Sequence, residues 1–167
     1  MGLIFSILFS IFSLHSEKYV IESSIIEFYS YAPLEEIEGS NTKSVGALDI
    51  ETGEFLIKIP VTEFQFPNKL MQKHFNDSYL ETDKYPECIF KGKINDGIAN
   101  GEITLHGETK KISIPIILNK SKEKVTIDTE FKILLKDYQI KVPRLLFQNI
   151  AEEIEIKVNS TFTKYLK

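Results

Sequence analysis

The feature of this sequence that most limits its fold is the alternation of apolar and polar side chains. Residues 125–133 carry apolar side chains or threonine at every second position and charged or polar ones between them. A period of two residues is typical of a β-strand with one buried and one solvent-exposed face, whereas an amphipathic helix repeats about every 3.6 residues. The buried face of this strand is predicted to consist of Val125, Ile127, Thr129, Phe131, Ile133 and Leu135.

The same alternation recurs along the chain between short turn sequences. Gly53, Gly97 and Gly107 lie in three of these turns, and glycine supplies the positive φ values that tight hairpins require. The pattern predicts about eight strands in an antiparallel meander, and the first two ranges could be one bent strand. The predicted strands are residues 19–22, 24–32, 43–50, 54–64, 87–95, 98–106, 109–119, 123–135 and 151–163.

Two segments do not follow the strand pattern. Residues 67–77 place Leu70, Met71, His74 and Phe75 at helical spacing, behind a proline that the first turn of a helix tolerates. We therefore predict a short helix near 67–77 that crosses between parts of the sheet. Residues 33–38 are predicted to form another single turn.

A meander of eight long strands leaves two exposed edges unless it closes on itself. Closure into a barrel is the usual solution, and eight strands enclose an interior that side chains fill or that holds one small ligand. The sequence therefore predicts an all-β fold, an antiparallel eight-stranded lipocalin-like barrel with one short crossing helix.

The N-terminus differs in character from the rest of the chain. Residues 3–14 are almost wholly apolar, and no charged side chain occurs before Glu17. This segment is shorter than the roughly 20 residues that span a bilayer but fits the apolar region of a secretory signal peptide. We expect residues 1–16 to be a signal peptide and residues 17–167 to be one domain, periplasmic or secreted. An N-terminal strand or an uncleaved anchor is the alternative.

Composition excludes several classes of function. The chain of 167 residues carries a formal net charge of −4 and a single arginine, Arg144, so it has no basic surface for nucleic acid. The lone Cys88 rules out an intramolecular disulfide. The sequence has neither a metal-ligand motif nor a glycine-rich phosphate loop, so we expect no metal, no cofactor and no stable membrane span. A homodimer stays open.

Three motifs in the middle of the chain resemble those of the YceI-like family. They are residues 70–75 (LMQKHF), residues 79–86 (YLETDKYP) followed by Phe90, and residues 101–110 (GEITLHGETK). The resemblance extends over residues 19–162 and implies a lipocalin-like β-barrel that binds polyisoprenoid lipids. Residues 137–139 read Asp-Tyr-Gln where the family has Asp-Phe-Gly, so the identity of the ligand is not carried over.

The first functional hypothesis is that an isoprenoid or fatty-acyl-like ligand occupies the barrel. Aromatic and thioether side chains suit an apolar cavity, although they also fill solid barrel cores. The predicted ligand-binding residues are Phe64, Phe66, Met71, Phe75, Phe90, Phe131 and Phe147.

Two other hypotheses stay open beside a binding protein. One is an enzyme on the same barrel that uses His74 or His106, although no nucleophile motif accompanies either histidine. The other is a filled barrel with a structural or stress-response role. We predict no catalytic residues, and we interpret both histidines as makers of local hydrogen bonds; a shared metal site is the alternative for that pair.

Overall fold

The computed structural model describes residues 17–31, 36–141 and 151–166. Most of this part of the chain is β-strand, and one short helix, α1 (Lys69–His74), continues into a turn of π-helix at Phe75–Tyr79. The strands are β1 (Lys18–Tyr31), β2 (Glu36–Asn41), β3 (Val45–Asp49), β4 (Glu54–Pro60), β5 (Glu87–Asn95), β6 (Ile98–Leu105), β7 (Glu108–Pro115), β8 (Ile117–Lys120), β9 (Lys124–Leu134) and β10 (Glu153–Lys164).

The strands form one antiparallel sheet that curls strongly into a half-barrel. Its strand order is β7-β6-β5-β4-β3-β1-β10-β9-β8, and β2 pairs with β1 outside this path. The predicted fold class, an antiparallel lipocalin-like barrel with a short helix, is confirmed. The structure differs in detail, because the described residues contain ten strands where the pattern predicts about eight.

The first two predicted strands are one continuous strand. β1 pairs with β10 over most of its length, and the register shifts between Ile21 and Ser23. A single extra residue in one strand of a pair is a β-bulge, which bends the strand and increases its twist. The interpretation of the first two predicted ranges as one bent strand is therefore correct for residues 19–31.

The prediction of a single turn at residues 33–38 is wrong for its second half. Glu36–Asn41 forms strand β2, which pairs with β1. Its alternate residues Ile37, Gly39 and Asn41 are buried. The segment has few β-branched residues, so its strand conformation depends on pairing with β1 and not on a local preference of the sequence. Residues 32–35 lie outside the described residues.

The long strand predicted at residues 109–119 is interrupted. Pro115 has no backbone N–H, and the ladder with β6 ends at this residue. After Ile116 the chain continues as β8, which pairs with β9 instead. One stretch of chain therefore passes from one edge of the sheet to the other.

The helix near residues 67–77 is confirmed at Lys69–His74. Asn68 caps it, because its side-chain oxygen accepts hydrogen bonds from the backbone N–H groups of Leu70 (2.9 Å) and Met71 (3.2 Å). The helix places Met71 and Phe75 against the core and leaves Leu70 exposed.

Two hairpins turn as the sequence predicts. Asp96 and Gly97 have φ values of 50° and 74°, and His106 and Gly107 have values of 51° and 79°. Two consecutive residues with positive φ are the requirement of a type I′ turn, whose twist matches that of the flanking strands. The second turn fixes the backbone from which the His106 side chain extends.

Candidate ligand-binding cavity

The half-barrel encloses an apolar cavity of about 220 Å³. Strands on all sides contribute to its wall, because the side chains at alternate positions of each strand point inward. The wall consists almost wholly of isoleucine, leucine, valine and phenylalanine side chains, and a few small polar residues interrupt it. Such a surface can hold a hydrocarbon but offers very few hydrogen bonds.

Six of the seven residues predicted to bind ligand line this cavity. They come from the segment before α1, from α1 and the turn after it, and from two strands on different sides of the barrel. These residues are Phe64, Phe66, Met71, Phe75, Phe90 and Phe131. The seventh, Phe147, lies outside the described residues.

One end of the cavity, which we call the aromatic end, is formed by Phe28, Phe64, Phe66 and Phe75. The ring of Phe28 stacks on that of Phe75 at a centroid distance of 5.6 Å and meets Phe64 and Phe66 edge to face at 5.5 Å. Gly39 leaves room for them, because a Cβ atom there would lie 2.6 Å from the Phe28 ring. These rings form a packed cluster that is apolar towards the cavity.

The opposite end, which we call the plugged end, is filled by buried side chains, two of which, Leu48 and Phe162, also line the cavity. Tyr19, Leu48, Val125 and Phe162 are at most 1 % exposed and come from four different strands. Their side chains fill the barrel between β1, β3, β9 and β10. A ligand in the cavity is therefore closed off from solvent at this end.

Three of the polar groups at the cavity wall are already hydrogen-bonded or inert. The Ser30 hydroxyl accepts a hydrogen bond from the backbone N–H of Ala151 (2.8 Å), and the Thr129 hydroxyl donates one to the carbonyl oxygen of Pro115 (2.7 Å). Burial raises the pKa of the Cys88 thiol to about 12, so it is protonated and unreactive at neutral pH. These groups give the cavity no evident chemistry.

The two histidines of the described chain lie away from the cavity wall. His106 donates from Nδ1 to the carbonyl oxygen of Tyr138 (2.9 Å), and its Nε2 lies 3.0 Å from Oε2 of Glu81. Its ring also meets Tyr85 edge to face at 4.6 Å. His106 therefore joins three segments at one end of the barrel, whereas His74 is exposed on α1.

The carboxylate of Glu81 is held in its charged form. Hydrogen bonds from Lys84 and then from His106 lower the pKa of Glu81 below its ordinary value. Its backbone has a positive φ of 44°. The interpretation of His106 as a maker of local hydrogen bonds agrees with this geometry, and residues 17–31, 36–141 and 151–166 contain no cluster of three metal-ligating side chains.

Several wall residues were missed by the sequence analysis. Phe28 and Phe55 line the cavity, and both lie on strands that the alternation pattern had identified. The inward face of β1 includes Ile26, Phe28 and Ser30 at every second position. Extending the alternation from β9 to β1 and β4 would have found them.

Comparison with known proteins agrees with this architecture. The sequence model of the family described as YceI-like domain matches residues 19–162, so the chain belongs to the YceI-like family. A search among curated proteins found no match. The helices of the described chain are too short and too polar for any of them to cross a membrane.

Solved structures of low sequence identity share the fold. A polyisoprenoid binding domain from Saccharophagus degradans, implicated in plant cell wall breakdown, superposes with a TM-score of 0.75 at 13% identity, covering 88% of this chain and 98% of its own. BcnA from Burkholderia cenocepacia gives a TM-score of 0.71 at 16% identity, covering 83% and 95%. A YCEI protein from Campylobacter jejuni gives 0.60 at 17% identity, covering 77% and 85%.

Proposed function

We propose that this protein carries or stores a hydrophobic ligand, isoprenoid or fatty-acyl-like, inside its half-barrel. The observation that carries the proposal is the cavity itself, whose wall is apolar on every side and closed at the plugged end. Membership of the YceI-like family and the polyisoprenoid binding domain among its structural neighbours support the same class of ligand. The prediction that the protein has no catalytic activity stays a prediction.

The ligand would contact the aromatic end and the wall beside it. In this proposal Phe64, Phe66, Met71, Phe75, Phe90 and Phe131 pack against the hydrocarbon chain, and Phe147 stays a prediction. Burying one methylene contributes about 0.8 kcal/mol, so an isoprene unit would contribute roughly 3–4 kcal/mol before ordering costs. Affinity is therefore expected to rise with chain length until the cavity is full.

We further propose that the protein is exported. Residues 1–16 would be removed as a signal peptide, and residues 17–167 would fold in the periplasm or outside the cell. N-terminal sequencing of the mature protein tests this directly. An N-terminus at Met1 in the soluble, folded product would contradict it.

The decisive experiment is native mass spectrometry, with lipid extraction, of protein purified from its own host. Ala99 is a small buried residue of the cavity wall, and Ala47 is exposed on β3. We expect wild-type protein and Ala47→Phe to carry an extractable lipid, and Ala99→Phe to lose it, because the ring occupies the cavity. Circular dichroism checks that both variants fold.

The filled barrel is a second candidate, because the cavity volume favours it. The cavity of about 220 Å³ is smaller than the roughly 300–1,000 Å³ of typical small-molecule pockets. If the wild-type protein is free of lipid and binds none when lipid is added, the filled barrel is correct. If it carries a long chain, the wall must move outwards to admit it.

A further inference from the structure

One boundary between strands is not closed by a β-ladder. β8 pairs with β9 through Ile117–Lys120, but between β7 and the rest of β9 the described residues form no ladder. The two strands nevertheless lie side by side, and the Thr129 hydroxyl donates to the Pro115 carbonyl oxygen at 2.7 Å. We call this boundary the seam.

The seam is the part of the wall that can separate with the smallest loss of hydrogen bonds. Most other boundaries are antiparallel ladders, such as β9 with β10 and β5 with β6, and the outer edge of β2 is held by two backbone hydrogen bonds between Ser40 and Gln65 (3.0 and 2.8 Å). The plugged end is filled by buried side chains, and side chains of α1 and the segments beside it line the other end. Opening the seam breaks the bond of Thr129 and separates apolar side chains, which a hydrocarbon chain would replace.

A groove follows the outer side of the seam. Its volume is about 610 Å³, and Ile116, Thr129 and Val158 line both this groove and the inner cavity. Ile25 and Ile117 are 47% and 65% exposed there, so the groove continues the apolar surface of the cavity to the outside. We call it the seam groove.

The charged rim of the seam groove has an excess of negative charge. Glu27, Asp128 and Glu130 lie along it, and Lys157 is its one cation within the described part of the chain. Lys157 is already shared, because its Nζ lies 3.1 Å from Glu155 and 3.7 Å from Glu130. A phosphate or carboxylate group in this groove would meet net repulsion, whereas a hydroxyl or an amine would find hydrogen-bond acceptors.

We propose that the ligand enters sideways through the seam, with its hydrocarbon chain in the cavity and its polar end in the seam groove, and that this end is uncharged or cationic. The proposal rests on the proposed function and specifies its route and its ligand class. The small cavity fits this mechanism, because separation of β7 from β9 enlarges the space without breaking a ladder.

A disulfide across the seam tests the route. Ile116 and Thr129 both line the cavity, and the carbonyl group that precedes Ile116 accepts the Thr129 hydrogen bond, so the variant Ile116→Cys/Thr129→Cys is suited to cross-linking. The matched control, Asn100→Cys/Ser113→Cys, joins directly opposed residues of the β6–β7 ladder. The buried Cys88 thiol, with a pKa of about 12, can stay in place.

Uptake of farnesol, a 15-carbon isoprenoid alcohol, is then measured in the oxidised and reduced forms. We expect the oxidised seam variant to take up farnesol at least tenfold more slowly than wild-type protein, and reduction to restore the rate. The control should load at the wild-type rate in both forms. Equal uptake by the oxidised seam variant would overturn the lateral route, whereas failure of wild-type protein to bind farnesol would overturn the proposed function itself.

Charge reversal tests the ligand class. Glu130→Lys changes an exposed acid at the seam groove, and Glu54→Lys changes an exposed acid on β4 as the control. We expect wild-type protein to prefer farnesol over farnesyl phosphate, and Glu130→Lys to strengthen phosphate binding by about 2- to 5-fold, as surface charges do. An unchanged ratio in Glu130→Lys, or the same change in Glu54→Lys, would contradict the location of the polar end.

Discussion

The plugged end and the aromatic end are built from the same strands but differ in how completely side chains fill them. At the plugged end, Tyr19, Leu48, Val125 and Phe162 exclude solvent almost entirely. Towards the aromatic end, the same strands continue with Phe131 and Ile156, which are only partly buried beside the cavity. Alternation therefore determines which side chains point inward, while their combined volume determines whether the interior is solid.

The largest effect is expected at the plugged end. Tyr19→Ala should lower the free energy of unfolding by about 3–5 kcal/mol, because it removes a fully buried ring and leaves a cavity. Tyr19 is 0% exposed and does not line the ligand cavity. The loss should be the same in delipidated and lipid-loaded protein, as measured by denaturant titration. A loss that depends on lipid would show that the ligand reaches the plugged end.

A smaller loss is expected at Phe131, on the cavity wall. In delipidated protein, Phe131→Ala should cost less than the roughly 3–5 kcal/mol of a solid core, because the ring already borders open space. In lipid-loaded protein the loss should be larger, since bound ligand stabilises the folded state in proportion to the logarithm of its concentration over its Kd. Four denaturant titrations, of two proteins with and without lipid, give the comparison. Equal, full-sized losses would make Phe131 an ordinary core residue.

A loss of stability smaller than that at Phe131 is expected at His106. His106→Ala removes the donor to Tyr138 and the partner of Glu81, and it places alanine at a φ of 51°. We expect a loss of about 1–3 kcal/mol in thermal or denaturant unfolding, the cost of leaving buried polar groups unpaired. His106→Asn should lose less, because asparagine tolerates positive φ.

Exposed His74 supplies the matched control for that change. His74→Ala should alter stability by less than about 0.5 kcal/mol, as surface substitutions usually do. Replacement of both histidines by glutamine should leave the lipid content of the folded protein unchanged. The loss of a measurable turnover in that double variant would instead favour an enzyme.

The smallest effect is expected at Glu17, and it depends on pH. Hydrogen bonds from Lys120 and then Lys164 lower the pKa of Glu17 from 4.5 to about 2. Because its pKa in the folded state is depressed, the stabilisation is complete above about pH 4.5 and is lost as the pH falls through about 2. Glu17→Gln should therefore flatten the pH dependence of stability between these values. An unchanged acid limb would show that the ion pairs do not persist in solution.

The sequence predicted the strands better than it predicted how they pair. Alternation in residues 123–135 identified β9, because one buried face leaves a direct mark on the sequence. The break at Pro115 was missed, although a proline has no backbone N–H to donate to a β-ladder. Strand β2 was missed because its strand conformation depends on pairing with β1.

The candidate site was predictable only in part. Large apolar residues identified six members of the cavity wall, but the open seam depends on which strands are not paired, and no local pattern records that. The partners of His106 were equally hidden, since Glu81 and Tyr138 lie 25 and 32 residues away in the sequence. Contacts of this kind arise only after the sheet has curled.

The position of β1 between β3 and β10 has a consequence for how the chain folds. The β1–β10 ladder joins the two ends of the described chain, and the bond between Glu17 and Lys164 spans 147 residues. Pairing of strands so distant in sequence has a high cost in loop-closure entropy, which slows folding. A nascent chain on the ribosome has β1 long before it has β10, so the ladder between them forms only after the strands from β2 to β9 have been made. Until then β1 presents an unpaired edge, and for this interval the protein depends on protection from aggregation.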